Sequence, residues 1–304
     1  MRPRVLACPA SLKGVLTASA AAGALARGFG AAGVDVDTMP VADGGEGTVD
    51  ALCSVFEPVE VIDAFGRPRL ARTGVLDDGT RVIEAAEAIP LDPERLDVMA
   101  ASSRGLGLWV GLYRDCPLTM SVGGTATMDA GAGLLEVLDR LPEPTRVLCD
   151  VTTRLYDAPR LFGPQKGAIP EQVAELEARF RAMGGLASYA ELPGSGAAGG
   201  LGAALASLGA ELVPGAEAVL DLLGFDPRPY DLVVTGEGTV DETTWEGKAP
   251  AVVARRCAEA GVRCVVFGGR VLDGDAEALS GDPSRAEQDL VALGERLGLF
   301  VRGS

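Results

Sequence analysis

Residues 231–250 read DLVVTGEGTVDETTWEGKAP. Leu232, Val233 and Val234 form a short apolar run with the β-branched content of a buried strand. The run ends at Thr-Gly-Glu-Gly, where glycines let a backbone turn sharply beside a ligand. Glu237, Asp241 and Lys248 follow in what reads as one loop, and Pro250 suits the first turn of a helix. Two carboxylates and an ammonium at the C-terminal end of a strand suit a hydrated Mg²⁺ and a phosphate. A solvated acidic turn is the bland alternative.

The flanking chain gives that stretch its context. Val5–Cys8 reads as a strand, Thr17 as the cap of an Ala-rich helix reaching about Gly30, and Val34–Met39 as a second strand. A loop at 40–47 follows, then a helix with Val49, Leu52, Cys53 and Phe56 on one face. This alternation opens a parallel α/β sheet. From about residue 58 the pattern changes. Val59–Ile62, Leu70–Leu76 and Thr80–Ala85 read as strands joined by Phe-Gly-Arg-Pro and Asp-Asp-Gly turns, hence antiparallel. Helices at about 101–114, 125–138, 170–183 and 200–210 and strands at 117–122 and 146–149 complete this middle part. The α/β pattern returns with a strand at 231–234, a helix at 250–260, a strand at 262–267 and a last helix within 277–298. The expected architecture is two-domain α/β. A discontinuous Rossmann-like domain (1–57 and 225–304) would carry an inserted mixed α/β domain (58–224).

Composition excludes several functions. Across 304 residues the net charge is −16, which argues against nucleic acid or an anionic membrane as partner. An anionic substrate would need a local positive pocket. There is no histidine, so Ser-His-Asp chemistry and His-ligated zinc are excluded. A general base must be a carboxylate, lysine, cysteine or tyrosine. The six cysteines form no CxxC pair and sit among apolar neighbours, as in a reduced, cytoplasmic protein. The apolar stretch before Cys8 is too short for a signal peptide, and no run reaches the roughly 18 residues of a membrane span. A homo-oligomer stays possible.

Further loops combine small residues with one or two charges. They are Cys8–Gly14 with Lys13, Asp43–Gly47 with Asp43 and Glu46, Gly123–Gly133 with Asp129, and Phe162–Ala168 with Lys166. The Gly123–Gly133 loop reads as strand running into helix, so its free N–H groups could hold an anion. Gly194–Gly200 formally matches GxGxxG, but no buried strand precedes it, and tight helix packing is the better reading. No loop matches GxxxxGK[ST].

Together these segments resemble the type I glycerate kinase family. The strings that carry the resemblance are CPASLKG (8–14), ADGGEGTVDAL (42–52), VGGTATMDAGAG (122–133), CDVT (149–152), LFGPQKGA (161–168), PGSGAAGGLGA (193–203) and LVVTGEGTVDETTWEGKAP (232–250). The resemblance implies ATP- and Mg²⁺-dependent phosphorylation of a hydroxyl of glycerate, in a cleft between two α/β domains. It assigns Asp150, Lys13 and Lys166 to catalysis. Ser11, Asp43, Gly44, Gly45, Glu46, Thr125, Asp129, Gln165 and Lys248 would bind substrate or phosphate, and Glu237 and Asp241 would hold the metal. Four positions depart from the family pattern. Ala10 replaces an aspartate, Met128 and Thr153 each replace an asparagine, and Thr239 replaces the arginine of GEGRxD. The chain is also shorter than usual between Leu138 and Arg146 and at its C-terminus. If those lost groups bound substrate, and unless the new Arg154 takes over the anion, glycerate becomes a poor substrate. An acid with another head group, such as a dihydroxyethyl phosphonate, would then be turned over better. From another class, a non-catalytic nucleotide- or metabolite-binding relative is the rival.

Overall fold

The computed structural model describes residues 3–303; residues 1, 2 and 304 of the expected first domain lie outside the described residues. The strands in chain order are β1 (Arg4–Ala7), β2 (Asp35–Thr38), β3 (Val55–Ile62), β4 (Pro68–Val75), β5 (Arg81–Glu84), β6 (Leu118–Ser121), β7 (Thr145–Cys149), β8 (Glu211–Pro214), β9 (Leu232–Val240), β10 (Arg263–Val271) and β11 (Glu277–Ala278). They form two sheets, and the chain divides into two compact units. The first holds the residues up to Asp43 and from Val219 onward; the second is Gly44–Ala218. Residues 44–57, expected in the first domain, therefore fall in the second unit. The helix Thr48–Leu52 packs there on β4 and β5.

The first unit is an all-parallel sheet in the order β11-β10-β9-β1-β2. Val5 pairs with Leu232 and Val36, so the strand of the decisive stretch and the first strand of the chain share one sheet. Two helices, Ala18–Ala31 and Ala286–Gly303, pack against one another here. Thr17 caps the first, its hydroxyl accepting from Ala20 N at 3.1 Å. Phe29, Leu25, Leu290 and Leu293 join Val5, Val234 and Phe267 in one core. The helices meet through glycine. A Cβ on Gly28 would lie 2.1 Å from the Val291 carbonyl, and one on Gly294 would lie 2.5 Å from the Leu25 carbonyl.

The second unit is a mixed sheet, β3-β4-β5-β6-β7-β8. β3, β4 and β5 pair antiparallel and β5 to β8 parallel. The turn-rich segment is antiparallel, as its Gly and Pro spacing predicts. Trp109, on the helix Arg104–Val110, is buried under this sheet and donates its indole N–H to the Thr73 hydroxyl at 3.2 Å.

Several local expectations are corrected. Thr-Gly-Glu-Gly does not turn. β9 continues through it to Val240, paired with β10 as far as Val271. Gly236 is there for close packing, since a Cβ would lie 2.2 Å from the Phe267 carbonyl. The helix expected from Val49 to Phe56 ends at Leu52, and Phe56 lies in β3. The helix expected at 125–138 shrinks to Ala132–Leu135 because Ala130 and Gly131 take positive φ. The glycines at 194–202 serve packing. A Cβ on Gly196 would meet the Arg154 carbonyl at 2.4 Å, and one on Gly202 the Gly194 carbonyl at 2.2 Å. All six cysteines are free. Among the described residues no helix is long and apolar enough to cross a membrane.

The glycine contact gives a prediction with its own control. Gly28→Ala and Gly294→Ala should each lower the unfolding free energy by about 1–3 kcal/mol through overpacking. Gly30→Ala, on the same helix but with nothing within 4 Å of a new Cβ, should be neutral or stabilising by up to about 1 kcal/mol. Urea unfolding of the three variants checks it. Equal losses at all three positions would mean that helix contact is not what the glycines provide.

Candidate functional site

In parallel sheets the loops leaving the C-terminal ends of the strands gather along one edge. In the first unit that edge carries the loops after β1, β2, β9 and β10. The loop after β1 is pinned to β9, with Cys8 N donating to the Val234 carbonyl and Ala10 N to the Gly236 carbonyl, at 2.8 and 2.9 Å. The Thr235 hydroxyl returns a bond to the Cys8 carbonyl at 2.8 Å. This seats Leu12 and Lys13 over Gly238, where a Cβ would be 3.3 Å from both Leu12 Cα and Lys13 N.

A pocket of about 350 Å³ opens at this edge, lined by Ser11, Lys13, Glu237, Asp241, Lys248 and Arg270 among others. The Lys248 ammonium stands 3.8 Å from Glu237 Oε2 and 3.9 Å from Asp241 Oδ1. The Thr244 hydroxyl donates to Glu237 Oε1 at 2.6 Å. Asp241 caps the short helix Glu242–Trp245, accepting from Thr244 N at 3.2 Å and from the Thr243 hydroxyl at 2.6 Å. Burial raises the Glu237 pKa. The Thr244 bond and Lys248 oppose the rise, while Asp43 and Asp241 add to it. The Asp241 pKa is lowered, chiefly by the Thr243 hydroxyl, against a smaller burial penalty and with help from Lys248. The expected metal residues and three of the phosphate-binding candidates, Ser11, Asp43 and Lys248, thus belong with Lys13 to the first unit. The expected single loop is instead a strand residue and two helix caps brought together.

In the second unit the C-terminal edge of β5 to β8 gathers Glu84, the Gly123–Thr127 loop and Asp150. Gly44 and Gly45 reach the same place, with Gly123 N donating to the Gly44 carbonyl at 3.3 Å. A Cβ on Gly123 would lie 2.7 Å from both Asp150 Oδ2 and Gly45 Cα, so only glycine lets these three segments meet. Lys166 is 5% exposed, and its ammonium donates to the Thr127 carbonyl at 2.7 Å. Burial brings its pKa down to about 8, with Asp150 and Asp129 holding it from falling further. Thr125 is 2% exposed, and its hydroxyl, like that of Ser121, is buried without a hydrogen-bond partner. A buried orphan hydroxyl in a native fold calls for a partner. Glu46 and Gln165 are exposed.

Asp129 is hydrogen-bonded within and beside its own loop. One of its oxygens accepts from Gly131 N, and the other from Ser103 N, the Ser103 hydroxyl and Gly133 N, at 2.8–3.1 Å. It organises its own loop and takes up the N–H groups of Gly131 and Gly133. Met128 is 1% exposed within an apolar cluster with Leu155, Leu176 and Phe180. Arg154 is paired with Glu191 at 3.0 Å.

Sequence reasoning missed Glu84 and Arg270. Glu84, 4% exposed at the end of β5, accepts from Gly47 N at 3.1 Å with both oxygens and from Val49 N at 3.4 Å. It fixes the glycine loop at 44–47. A lone glutamate closing the apolar run Val82-Ile83 was the only signal, and it looked like a strand end.

The model of the glycerate kinase family matches residues 5–141 and 140–287. The chain is 35% identical to the glycerate 2-kinase of Escherichia coli, covering 83% of this chain and 81% of that protein. It is 33% identical to the glycerate kinase of Bacillus subtilis, with coverages of 83% and 81%. A crystal structure named for a glycerate kinase 2 of Salmonella typhimurium LT2 superposes with a TM-score of 0.82 at 28% identity, over 100% of this chain and 99% of that one. The chain belongs to the glycerate kinase family.

Glu84 yields a pH prediction. Burial raises its pKa from 4.5 to about 7, the Gly47 and Val49 N–H groups opposing and Glu87 and Asp50 adding. The folded state therefore binds this proton more tightly than the unfolded chain. Its contribution is complete below about 4.5 and is lost as pH rises through about 7. Between those values the melting temperature of the Glu84→Gln variant should fall less with rising pH than that of the parent. Parallel pH profiles for the two proteins would contradict this.

Proposed function

We propose that this protein is an ATP- and Mg²⁺-dependent kinase that phosphorylates a hydroxyl of glycerate. The observation that carries the reading is the pocket of the first unit. In a chain of net charge −16 it sets Lys13 and Lys248 beside Glu237 and Asp241, the cation and carboxylate mixture that a metal-bound phosphate chain requires. The names of its relatives support the acceptor.

The donor set fits Mg²⁺, which favours oxygen ligands and binds through one or two carboxylates with phosphate and water completing the shell. Glu237 and Asp241 are the carboxylates that would hold it. Among the described residues no group of three or more His, Cys, Asp or Glu side chains is arranged to hold a metal ion, so nucleotide oxygens would supply the remainder. When bound, the ion neutralises charge on the phosphates. Lys13 and Lys248 share that neutralisation. The acceptor hydroxyl attacks the γ-phosphorus, the bond to the β-phosphate oxygen breaks, and ADP leaves. The hydroxyl proton needs a base, and Asp150, the carboxylate that meets Gly123 and Gly45 at the edge of the second sheet, is the candidate in its own unit. Lys166, charged below about pH 8, balances that carboxylate. The unpaired Thr125 hydroxyl is available to substrate oxygen.

The case for a changed head group weakens on this geometry. Met128 faces the core, and Arg154 is engaged by Glu191. Glycerate should therefore be turned over with a higher kcat/KM than the dihydroxyethyl phosphonate, measured as ADP release; the reverse order would restore the phosphonate. Glu237→Gln, which keeps an oxygen for the Thr244 hydroxyl, should lower kcat at least about 100-fold with an unchanged melting temperature. Wild-type turnover in that variant would move the metal elsewhere. Finally, kcat/KM should decline above about pH 8 as Lys166 loses its proton. A flat profile to pH 9.5 would show that its charge is not needed.

A further inference from the structure

Arg270 is absent from the family-like strings, yet it lines the pocket that carries the proposed function. It lies near the end of β10, where the parallel register places it opposite Thr239 of β9. Register partners on neighbouring parallel strands present their side chains to the same face, with strands about 4.8 Å apart. Thr239 lines the same pocket. A long guanidinium side chain rooted at 270 can therefore reach the space that one rooted at 239 would fill. Position 239 is where the resemblance to the family implies an arginine, and this chain has threonine.

The surrounding charges leave that guanidinium for a ligand. Of the other charges lining the pocket, Asp289 is engaged by the Ser280 backbone N–H and hydroxyl and by Arg285. Asp282 accepts from Ser284 N and its hydroxyl. Glu237 and Asp241 face Lys248. Among the described residues Arg270 enters no ion pair. The planar fork of arginine matches an oxyanion bidentately, which neither lysine in the pocket can do.

We propose that Arg270 supplies, from the adjacent strand, the guanidinium that position 239 lacks, and that it binds an oxyanion of a reactant in this pocket. The proposal rests on the kinase reading for which reactant that is: the carboxylate of the acid or a phosphate of the nucleotide. Three variants test it: Arg270→Ala, Arg270→Lys, and Arg270→Ala combined with Thr239→Arg. Arg270→Ala should raise one KM by about 10–100-fold, with the melting temperature unchanged. A rise for glycerate alone assigns the carboxylate, and a rise for ATP alone assigns the phosphate. Arg270→Lys should recover little of the loss, and Thr239→Arg should recover most of it. Unchanged KM values for both reactants in Arg270→Ala overturn the proposal, as does a loss that Thr239→Arg fails to restore. If the parent protein phosphorylates no hydroxy acid, the kinase reading fails by itself. Calorimetric titration of ATP, glycerate and inorganic phosphate into the parent and Arg270→Ala then still decides. Weaker binding of any of the three by the variant supports the assignment, and equal binding of all three overturns it.

Discussion

Parallel pairing of β9 between β1 and β10 is the constraint on which the first unit depends. A parallel neighbour cannot be reached by a hairpin, so each return of the chain needs a crossover. The result is that every strand of this sheet ends at the same edge. Lys13, Asp43, Glu237, Asp241, Lys248 and Arg270 then need no long-range ion pairs to be collected there. The same rule acts within β5 to β8 of the second unit and explains why Glu84, Gly123 and Asp150 are neighbours. The antiparallel strands β3 and β4 carry none of the site residues.

Strands β1, β9 and β10 are legible because a strand buried on both faces is apolar on both, and VLA, LVV and CVVF announce themselves as such. β8 escaped because Glu211 opens it and it is only four residues long. The helix at 125–138 was overcalled for a reason that the sequence hides in part. Gly131 and Gly133 already disfavour a helix here, and Asp129 adds to this by spending its carboxylate on their N–H groups, a contact that the sequence does not show.

The site was legible as loops but not as contacts. Lys166 between Gln165 and Gly167 drew attention through its setting, and its burial against the Thr127 carbonyl gives that setting a physical cause. Arg270 could not be found by reading along the chain, because its relation to Thr239 exists only across the β9–β10 ladder. The setting of Met128 is equally hidden in the sequence. An exchanged polar residue within a glycine-rich loop suggests lost binding, whereas its side chain belongs to the apolar cluster around Phe180.

The division of the chain also has a consequence for the order in which it becomes a protein. The second unit is one unbroken segment, Gly44–Ala218, while the first needs β9 and β10 to separate β1 from solvent on one side. During synthesis the ribosome delivers the whole second unit before either of those strands exists. Until then the helix Ala18–Ala31 has no Gly294 to dock against, and its apolar face waits exposed. The insert can fold as it emerges, whereas the unit that surrounds it in sequence becomes native only when the last helix arrives.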